Sequence, residues 1–216
     1  MDSGVKRRYE SPRRDAQAAQ TRQVIIEAAR QMFEAAGYNA TSVPAIADEA
    51  GVALKTVYLA FDSKARLLRA VWEARLGAQE ETIPVLERAW FREVAATPDP
   101  ISKLALVAAQ SRRVKSRTGS LLEVIRVAAP TDAEIATLWE DIESKLLRVQ
   151  RAVIDQLRHS GHLSSAMTAK DAADVMWTLN HPDVWQLLVA KRRWTPSRYE
   201  KWLADAFRLH LLAHSD

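Results

Sequence analysis

The sequence predicts an all-α protein, and three observations lead to this prediction. Alanine and leucine, which favour helices, are plentiful, whereas glycine occurs only six times in 216 residues. Long segments repeat apolar residues at helical spacing, and no segment shows the alternation typical of a half-buried strand. Prolines, glycines and polar clusters divide these segments into about nine helices.

Composition excludes several classes of function. The chain has no cysteine, so disulfides and thiolate chemistry are excluded. No apolar run approaches the roughly 20 residues that span a bilayer, and no apolar segment follows the basic N-terminus, so we expect a cytoplasmic protein. Phosphate-binding, nucleophile-elbow and zinc-protease motifs are absent from the sequence. We therefore expect no enzyme, no metal and no cofactor.

The N-terminal third begins with a basic segment. Residues 1–14 are polar and contain Pro12, which predicts a flexible arm. A first helix is predicted from Asp15, and Gly37 is expected to end it. The first 22 residues carry six Lys and Arg against three Asp and Glu, which favours an anionic partner only mildly.

The segment "TSVPAIADEAGVALKTVYLAFDSK", residues 41–64, predicts two short helices over 43–50 and 53–60. Gly51 between them can adopt the positive φ that a tight turn requires. Pro44 is acceptable near a helix start because the first N–H groups have no internal acceptor. Ser42 or Thr41 is expected to cap that helix. We expect a shared core of Ile25, Ala29, Phe33, Val43, Ile46, Ala47, Ala50, Val52, Val57 and Phe61.

The remaining chain predicts longer helices. Ser63 is expected to cap the helix that follows the 41–64 segment. Gly119 is taken as a break, and Pro182 predicts either a kink or two consecutive helices. The predicted helices span 83–96, 101–117, 120–128, 132–158, 169–191 and 197–213.

The outward face of the 53–60 helix is a candidate contact surface for DNA. Lys55 can reach a guanine edge or a phosphate, and the hydroxyls of Thr56 and Tyr58 can donate to phosphates. Leu54 and Leu59 can contact only thymine methyl groups. Two packed helices of an ordinary bundle would show the same pattern, so the spacing by itself leaves both interpretations open.

The span from Thr21 to about Glu73 resembles the N-terminal domain of the TetR family of transcriptional regulators. The segments "AARQMFEAAGYNATSV", "IADEAGV" and "TVYLAFDSKARLL" carry this resemblance. It implies a DNA-binding domain over 15–62, and an effector-binding and dimerisation domain over 63–216 whose last two helices form a homodimer. By position, the resemblance assigns DNA contacts to Thr41, Leu54, Lys55, Thr56, Tyr58, Leu59 and Lys64.

Residues for the effector and the dimer are predicted with less support from the sequence, because core packing explains each of them equally simply. Seven tryptophans favour an aromatic-lined cavity for an apolar or flat aromatic molecule. The candidate lining residues are Trp72, Trp90, Gln110, Leu122, Ile125, Arg126, Trp139, Trp177 and Asn180. The candidate dimer residues are Val175, Leu179, Trp202, Ala206 and Phe207.

Together these features predict a homodimeric repressor that a small effector releases from a palindromic operator in double-stranded DNA. The expected coupling runs through the helix after Ser63, whose Leu67, Leu68 and Val71 would join the DNA-binding core. The alternatives are an effector-free helix-turn-helix protein with an architectural or partner-binding role, and an enzyme with an unrecognised site.

Overall fold

The computed structural model describes residues 12–77 and 83–213, and within them the predicted all-α class is confirmed. These residues contain no β-strand, and none of their helices has the length and apolarity needed to cross a membrane. Short 3₁₀ turns lie at Val85–Glu87 and Ala129–Thr131. The helices are α1 (Pro12–Ala36), α2 (Val43–Glu49), α3 (Leu54–Phe61), α4 (Lys64–Leu76), α5 (Ala89–Ala96), α6 (Pro100–Ala128), α7 (Ala133–His159), α8 (Ala169–Leu179), α9 (Pro182–Trp185) and α10 (Pro196–Leu211).

The chain forms two compact units, one extending to Val71 and the other starting at Trp72. This division falls inside α4, so one continuous helix belongs to both units. The domain boundary predicted between residues 62 and 63 precedes that helix and stays a prediction. Most of the predicted arm lies outside the described residues, and α1 begins at Pro12 rather than at Asp15.

The first unit contains the predicted helix-turn-helix. Ser42 caps α2, because its Oγ accepts a hydrogen bond from the backbone N–H of Ala45 at 3.2 Å. Gly51 has a φ of 65° in the turn before α3, as the tight turn requires. The predicted core is confirmed in most of its members, since Ala50 and Val52 are half-buried and the rest are buried: Ile25, Ala29, Phe33, Val43, Ile46, Ala47, Val57 and Phe61.

The break predicted at Gly119 is wrong, because α6 runs through this residue without interruption. The glycine instead allows a close approach by the indole of Trp185. A Cβ at position 119 would lie 2.7 Å from Nε1 and 3.3 Å from Cδ1 of that ring. Trp185 is buried and packs edge-on against Tyr199 at 4.9 Å between ring centroids, so it has little room to move aside. Gly119 is therefore a packing residue rather than a helix terminator.

Pro182 separates two consecutive helices, which is one of the two outcomes predicted for it. Helix α8 ends at Leu179, and Pro182 opens α9 at a position where no internal N–H bond is lost. His181 caps α9, because its Nδ1 accepts from the backbone N–H of Asp183 at 3.2 Å. A π-helical segment, Gln186–Lys191, continues from α9.

The second unit is built around α6, which packs most extensively against α10. Tyr199, Leu203 and Phe207 of α10 are fully buried in this core. The buried Lys103 of α6 donates from Nζ to the carbonyl oxygen of Val94 at 2.8 Å, and so satisfies an acceptor near the end of α5. Burial of Lys103 lowers the pKa of its ammonium.

We expect Gly119→Ala to destabilise the protein by about 1 to 3 kcal/mol, because the added methyl group overlaps a buried indole. Alanine in a helix is otherwise favoured over glycine by about 1 kcal/mol, so the sign of the change tests the contact. Urea unfolding of the full chain measures it.

Trp185→Ala is the background for this test. Alanine has no ring to approach position 119, so Gly119→Ala should cost clearly less in that background. An equal cost in both backgrounds would show that the indole is not the obstacle.

Candidate nucleic-acid interface and ligand cavity

Helix α3 divides its side chains between a buried and an exposed face. Val57 and Phe61 are buried, and they fix the helix on α1 and α2. The side chains of Leu54, Lys55, Tyr58 and Leu59 are exposed, and Leu59 has 77% of its surface accessible. Thr56 is half-buried at the edge of this face. The structure therefore leaves a narrow surface with one cation, two hydroxyls and two leucines on α3.

Arg22 of α1 holds the C-terminal end of α3. Its Nη1 donates to the carbonyl oxygen of Ala60 at 2.6 Å, and its guanidinium lies 4.1 Å from the centroid of the Phe61 ring. Arg22 was not identified from the sequence. Its position three residues before buried Ile25 places it on the inward face of α1, and this spacing could have indicated it.

The structure corrects the role predicted for Thr41. Its side chain was expected to meet a phosphate, but the residue is only 2% exposed. The hydroxyl donates inward to the carbonyl oxygen of Gly37 at 2.8 Å, near the end of α1. That carbonyl belongs to a helix terminus, which needs an external donor. Thr41 thus satisfies the protein's own backbone.

Lys64, the other phosphate contact implied by the resemblance, is also engaged inside the first unit. Its Nζ donates to the carbonyl oxygens of Tyr38 at 3.0 Å and Thr41 at 3.1 Å, and lies 4.1 Å from the centroid of the Tyr38 ring. An ammonium has three N–H groups, so these bonds occupy two of them. The predicted phosphate contact would use the third.

The second unit contains a cavity of about 160 Å³. Five of the nine predicted ligand residues line it: Trp72, Trp90, Gln110, Leu122 and Asn180. Further apolar lining residues are not indicated by the sequence: Leu76, Val85, Val107, Val114, Leu146, Val149 and Pro182. Together these side chains form a mainly apolar enclosure with a few polar groups, as is typical of small-molecule sites.

The other four predicted ligand residues do not line this cavity. Ile125 is fully buried, and Arg126 forms ion pairs with Glu123 and Asp183 instead. Trp139 and Trp177 both pack against the imidazole of His181, at 6.0 and 4.7 Å between ring centroids. Trp139 and Trp177 are thus close in sequence to residues that line the cavity, but they are not part of its wall.

A buried ammonium lies beside the cavity. Lys115 of α6 is 5% exposed, and its Nζ donates to Asn180 O at 2.7 Å, Asn180 Oδ1 at 2.8 Å and the Tyr199 hydroxyl at 2.8 Å. Ser111 also donates to Asn180 Oδ1. Burial lowers the pKa of Lys115 well below its ordinary value and raises that of Tyr199. Lys115 was not identified from the sequence.

Two glutamines of the cavity wall keep polar atoms without partners. Within the described part of the chain, no hydrogen-bond partner meets Gln110 Oε1 or either terminal atom of Gln150. Gln150 is fully buried on α7. A buried polar atom without a partner costs about 1 to 3 kcal/mol, so such groups are rare in protein interiors. A polar residue at a core position of α7 was the signal in the sequence that could have indicated Gln150.

The predicted dimer residues lie on α8 and α10. Val175, Leu179, Trp202 and Ala206 are half-buried, and Leu179, Trp202 and Ala206 line one surface groove. Phe207 is a correction, because it is fully buried in the core of the second unit and has no surface to offer a partner. Phe207 was assigned to the partly exposed face of α10 because helical periodicity alone does not show where the buried face ends.

The described residues therefore form a helix-turn-helix protein with a second helical unit that contains a small-molecule cavity. Residues 25–71 match the family model for bacterial regulatory proteins of the tetR family. Over these residues the chain is therefore similar to the N-terminal domain of that family.

Two curated proteins are similar to part of this chain. The chain is 38% identical over 89 residues to two proteins of Pseudomonas putida, the HTH-type transcriptional regulator SrpR and the uncharacterized HTH-type transcriptional regulator TtgW. This match covers 40% of the chain, 42% of SrpR and 66% of TtgW, so it spans less than two thirds of either relative.

Similarity of fold extends over nearly the whole chain. The structure of SmeT in complex with triclosan superimposes with a TM-score of 0.69, covering 91% of this chain and 93% of SmeT at 17% identity. At this identity the likeness concerns the fold.

We expect Lys64→Met to lower the free energy of unfolding by about 1 to 3 kcal/mol, because two backbone carbonyls lose a charged donor. Lys55→Met, which removes an exposed ammonium, should change it by less than about 0.5 kcal/mol. Urea unfolding compares the two variants. Equal stability of both would mean that Lys64 does not brace the turn after α1.

Proposed function

We propose that this protein is a homodimeric transcriptional repressor that binds a palindromic operator and leaves it when a small molecule occupies the cavity. The observation that carries the proposal is the exposed face of α3, which a helix-turn-helix presents to the major groove. The proposal assigns the protein no catalytic activity.

The DNA contact follows from the chemistry of this face. Lys55 supplies a charge for a phosphate or a guanine edge, and Tyr58 and Thr56 supply hydroxyl donors. Leu54 and Leu59 offer apolar contact to thymine methyl groups. With so few polar groups for base edges, part of the sequence preference would come from the shape and deformability of the operator.

The ligand response rests on the cavity of the second unit. Its volume of about 160 Å³ suits a molecule near the size of benzene without any change in the protein. SmeT, whose fold is similar, binds triclosan, which supports the assignment of a small-molecule role to this unit. Trp72 and Trp90 in the wall favour a flat apolar body.

Helix α4 is the proposed connection between ligand and DNA. Its first part contributes Leu67 and Leu68 to the buried residues of the first unit, and its last part contributes Trp72 and Leu76 to the cavity wall. A ligand that displaces Trp72 would therefore act on the same helix that carries Leu67. Repression is relieved if this displacement lowers DNA affinity, which is a coupling free energy between two sites.

We expect Lys55→Ala to weaken operator binding about tenfold and to reduce the salt dependence of binding by about one counterion. The operator is first selected from genomic fragments bound by the purified protein, and affinity is then measured by fluorescence anisotropy over a salt series. Equal affinity of the unmodified protein for the selected palindrome and for random duplex would contradict the proposed function and favour an architectural role.

The control variants distinguish the loss of a DNA contact from the loss of folding. Lys170→Ala removes an exposed charge on α8 and should leave operator affinity unchanged. Phe61→Ala should abolish binding together with the fold of the first unit, because the ring is buried under Arg22. If Lys55→Ala bound like the control Lys170→Ala, the exposed face of α3 would not be the contact surface.

We expect Ala206→Arg to convert the proposed homodimer into monomers, because a bulky cation would enter a groove that Arg198, Lys201 and Arg208 already line. Ala96→Arg, at an exposed position of α5, is the matched control and should remain dimeric. Sedimentation velocity distinguishes the two states. A dimeric Ala206→Arg variant would place the interface elsewhere.

A further inference from the structure

The cavity wall is unbalanced in charge. Arg88 and Lys115 line it, and none of the described lining residues carries a carboxylate. Arg88 donates from Nε to the carbonyl oxygen of Ile83 at 3.2 Å. Because this acceptor is neutral, the bond does not balance the charge of the guanidinium. A small apolar space surrounded by cations favours an anionic occupant.

The burial of Lys115 makes this excess of positive charge energetically unfavourable. All three of its described acceptors are neutral: two oxygens of Asn180 and the hydroxyl of Tyr199. Desolvation is the cause of its lowered pKa, and no carboxylate among the described residues opposes that effect. A buried cation without a counter-ion is unfavourable, and an anion arriving in the cavity would compensate it.

Gln150 supplies an independent indication of a ligand. It is fully buried in the cavity wall, and its Nε2 and Oε1 meet no partner among the described residues. An N–H of the glutamine amide can donate to one oxygen of a carboxylate, and its Oε1 can accept from a hydroxyl or a water molecule. Gln110, also in the wall, keeps an unpartnered Oε1 that could accept from a hydroxyl on the same molecule.

From this geometry we propose that the cavity binds a small organic acid, with its carboxylate accepting from Gln150 Nε2 close to the Lys115 ammonium and its apolar body against Trp72 and Leu146. The inference rests on the proposed ligand-responsive function and narrows it from apolar molecules in general to apolar acids. The carboxylate partners the unpartnered amide nitrogen of Gln150 and balances the charge of Lys115, whose three N–H groups already have neutral acceptors, and the apolar body fills the rest of the wall.

The test compares three probes that share one ring and differ in charge: benzoate, benzyl alcohol and benzylamine. Their size suits a cavity of about 160 Å³. Ligand-observed NMR titrations on the full chain at neutral pH measure each affinity without DNA. Benzoate should bind at least about tenfold more tightly than benzyl alcohol, as expected for one charge-assisted hydrogen-bonded contact, and benzylamine should bind most weakly.

Two variants test the proposed head-group contacts. Lys115→Met and Gln150→Leu remove the polar groups at nearly constant volume, and each should lower benzoate affinity about tenfold while leaving benzyl alcohol unaffected. Gln150→Leu should also raise the midpoint of thermal unfolding, because it removes two unpartnered buried atoms. Lys170→Met, an exposed lysine on α8, is the control for loss of charge and should bind benzoate like the unmodified protein.

The outcomes separate this inference from the proposed function. Equal affinity for benzoate and benzyl alcohol, no saturable binding of benzoate, or unchanged benzoate binding by both cavity variants would each overturn the acid specificity. Operator binding is measured separately, so these results would leave the DNA-binding proposal standing. Failure of operator binding with benzoate preference intact would overturn the proposed function and keep the acid site.

Discussion

The contact between Gly119 and Trp185 is the constraint on which the second unit depends. It lets the indole lie directly against the backbone of α6, where a side chain at position 119 would push it away. The amide of Gln186, the next residue, donates to the carbonyl oxygen of Gly119 at 2.6 Å and fixes the same approach. Trp185 then packs on Tyr199, whose hydroxyl accepts a hydrogen bond from Lys115. The absence of a side chain at Gly119 thus allows the packing that places the Lys115 ammonium beside the cavity.

The polar groups of this cavity oppose the stability of the fold. A well-packed helical core of this size would place leucine or methionine where Gln150 and Lys115 stand, and would gain free energy of unfolding by doing so. Their retention in a core that is otherwise apolar is understandable if a ligand supplies the missing partners, because binding then recovers the desolvation cost.

The sequence predicted the first unit well because its determinants are local. Gly51, Ser42 and the spacing of Val57 and Phe61 act within one or two turns, and each turn or cap uses residues that are near in the chain. The sequence does not show that Lys64 and Thr41 point inward, because their acceptors are backbone carbonyls of Gly37, Tyr38 and Thr41 in the turn after α1, and such acceptors cannot be recognised from residue type. The same holds for Arg22, whose acceptor lies 38 residues away on α3.

For the second unit, the sequence predicted the helices but not which side of each helix is buried. A helix with apolar residues around most of its surface fits several rotations, so Trp139 and Trp177 could not be separated from Trp72 and Trp90 by periodicity. Gly119 was read as a terminator because the close partner that explains it is 66 positions away. Tertiary contacts decided all of these positions, and the cavity exists only where several helices meet.

The charge of the proposed ligand also affects how ligand binding could be coupled to DNA binding. A neutral apolar molecule would only fill space, and its preference for one conformation would depend on shape alone. An acid would in addition interact with Lys115, whose neutral acceptors on Asn180 and Tyr199 belong to the end of α8 and to α10. A carboxylate competing for that ammonium would loosen both bonds at the point where these helices meet α6. Since a ligand shifts an equilibrium only by its differential affinity for two states, this competition provides a physical source for the difference.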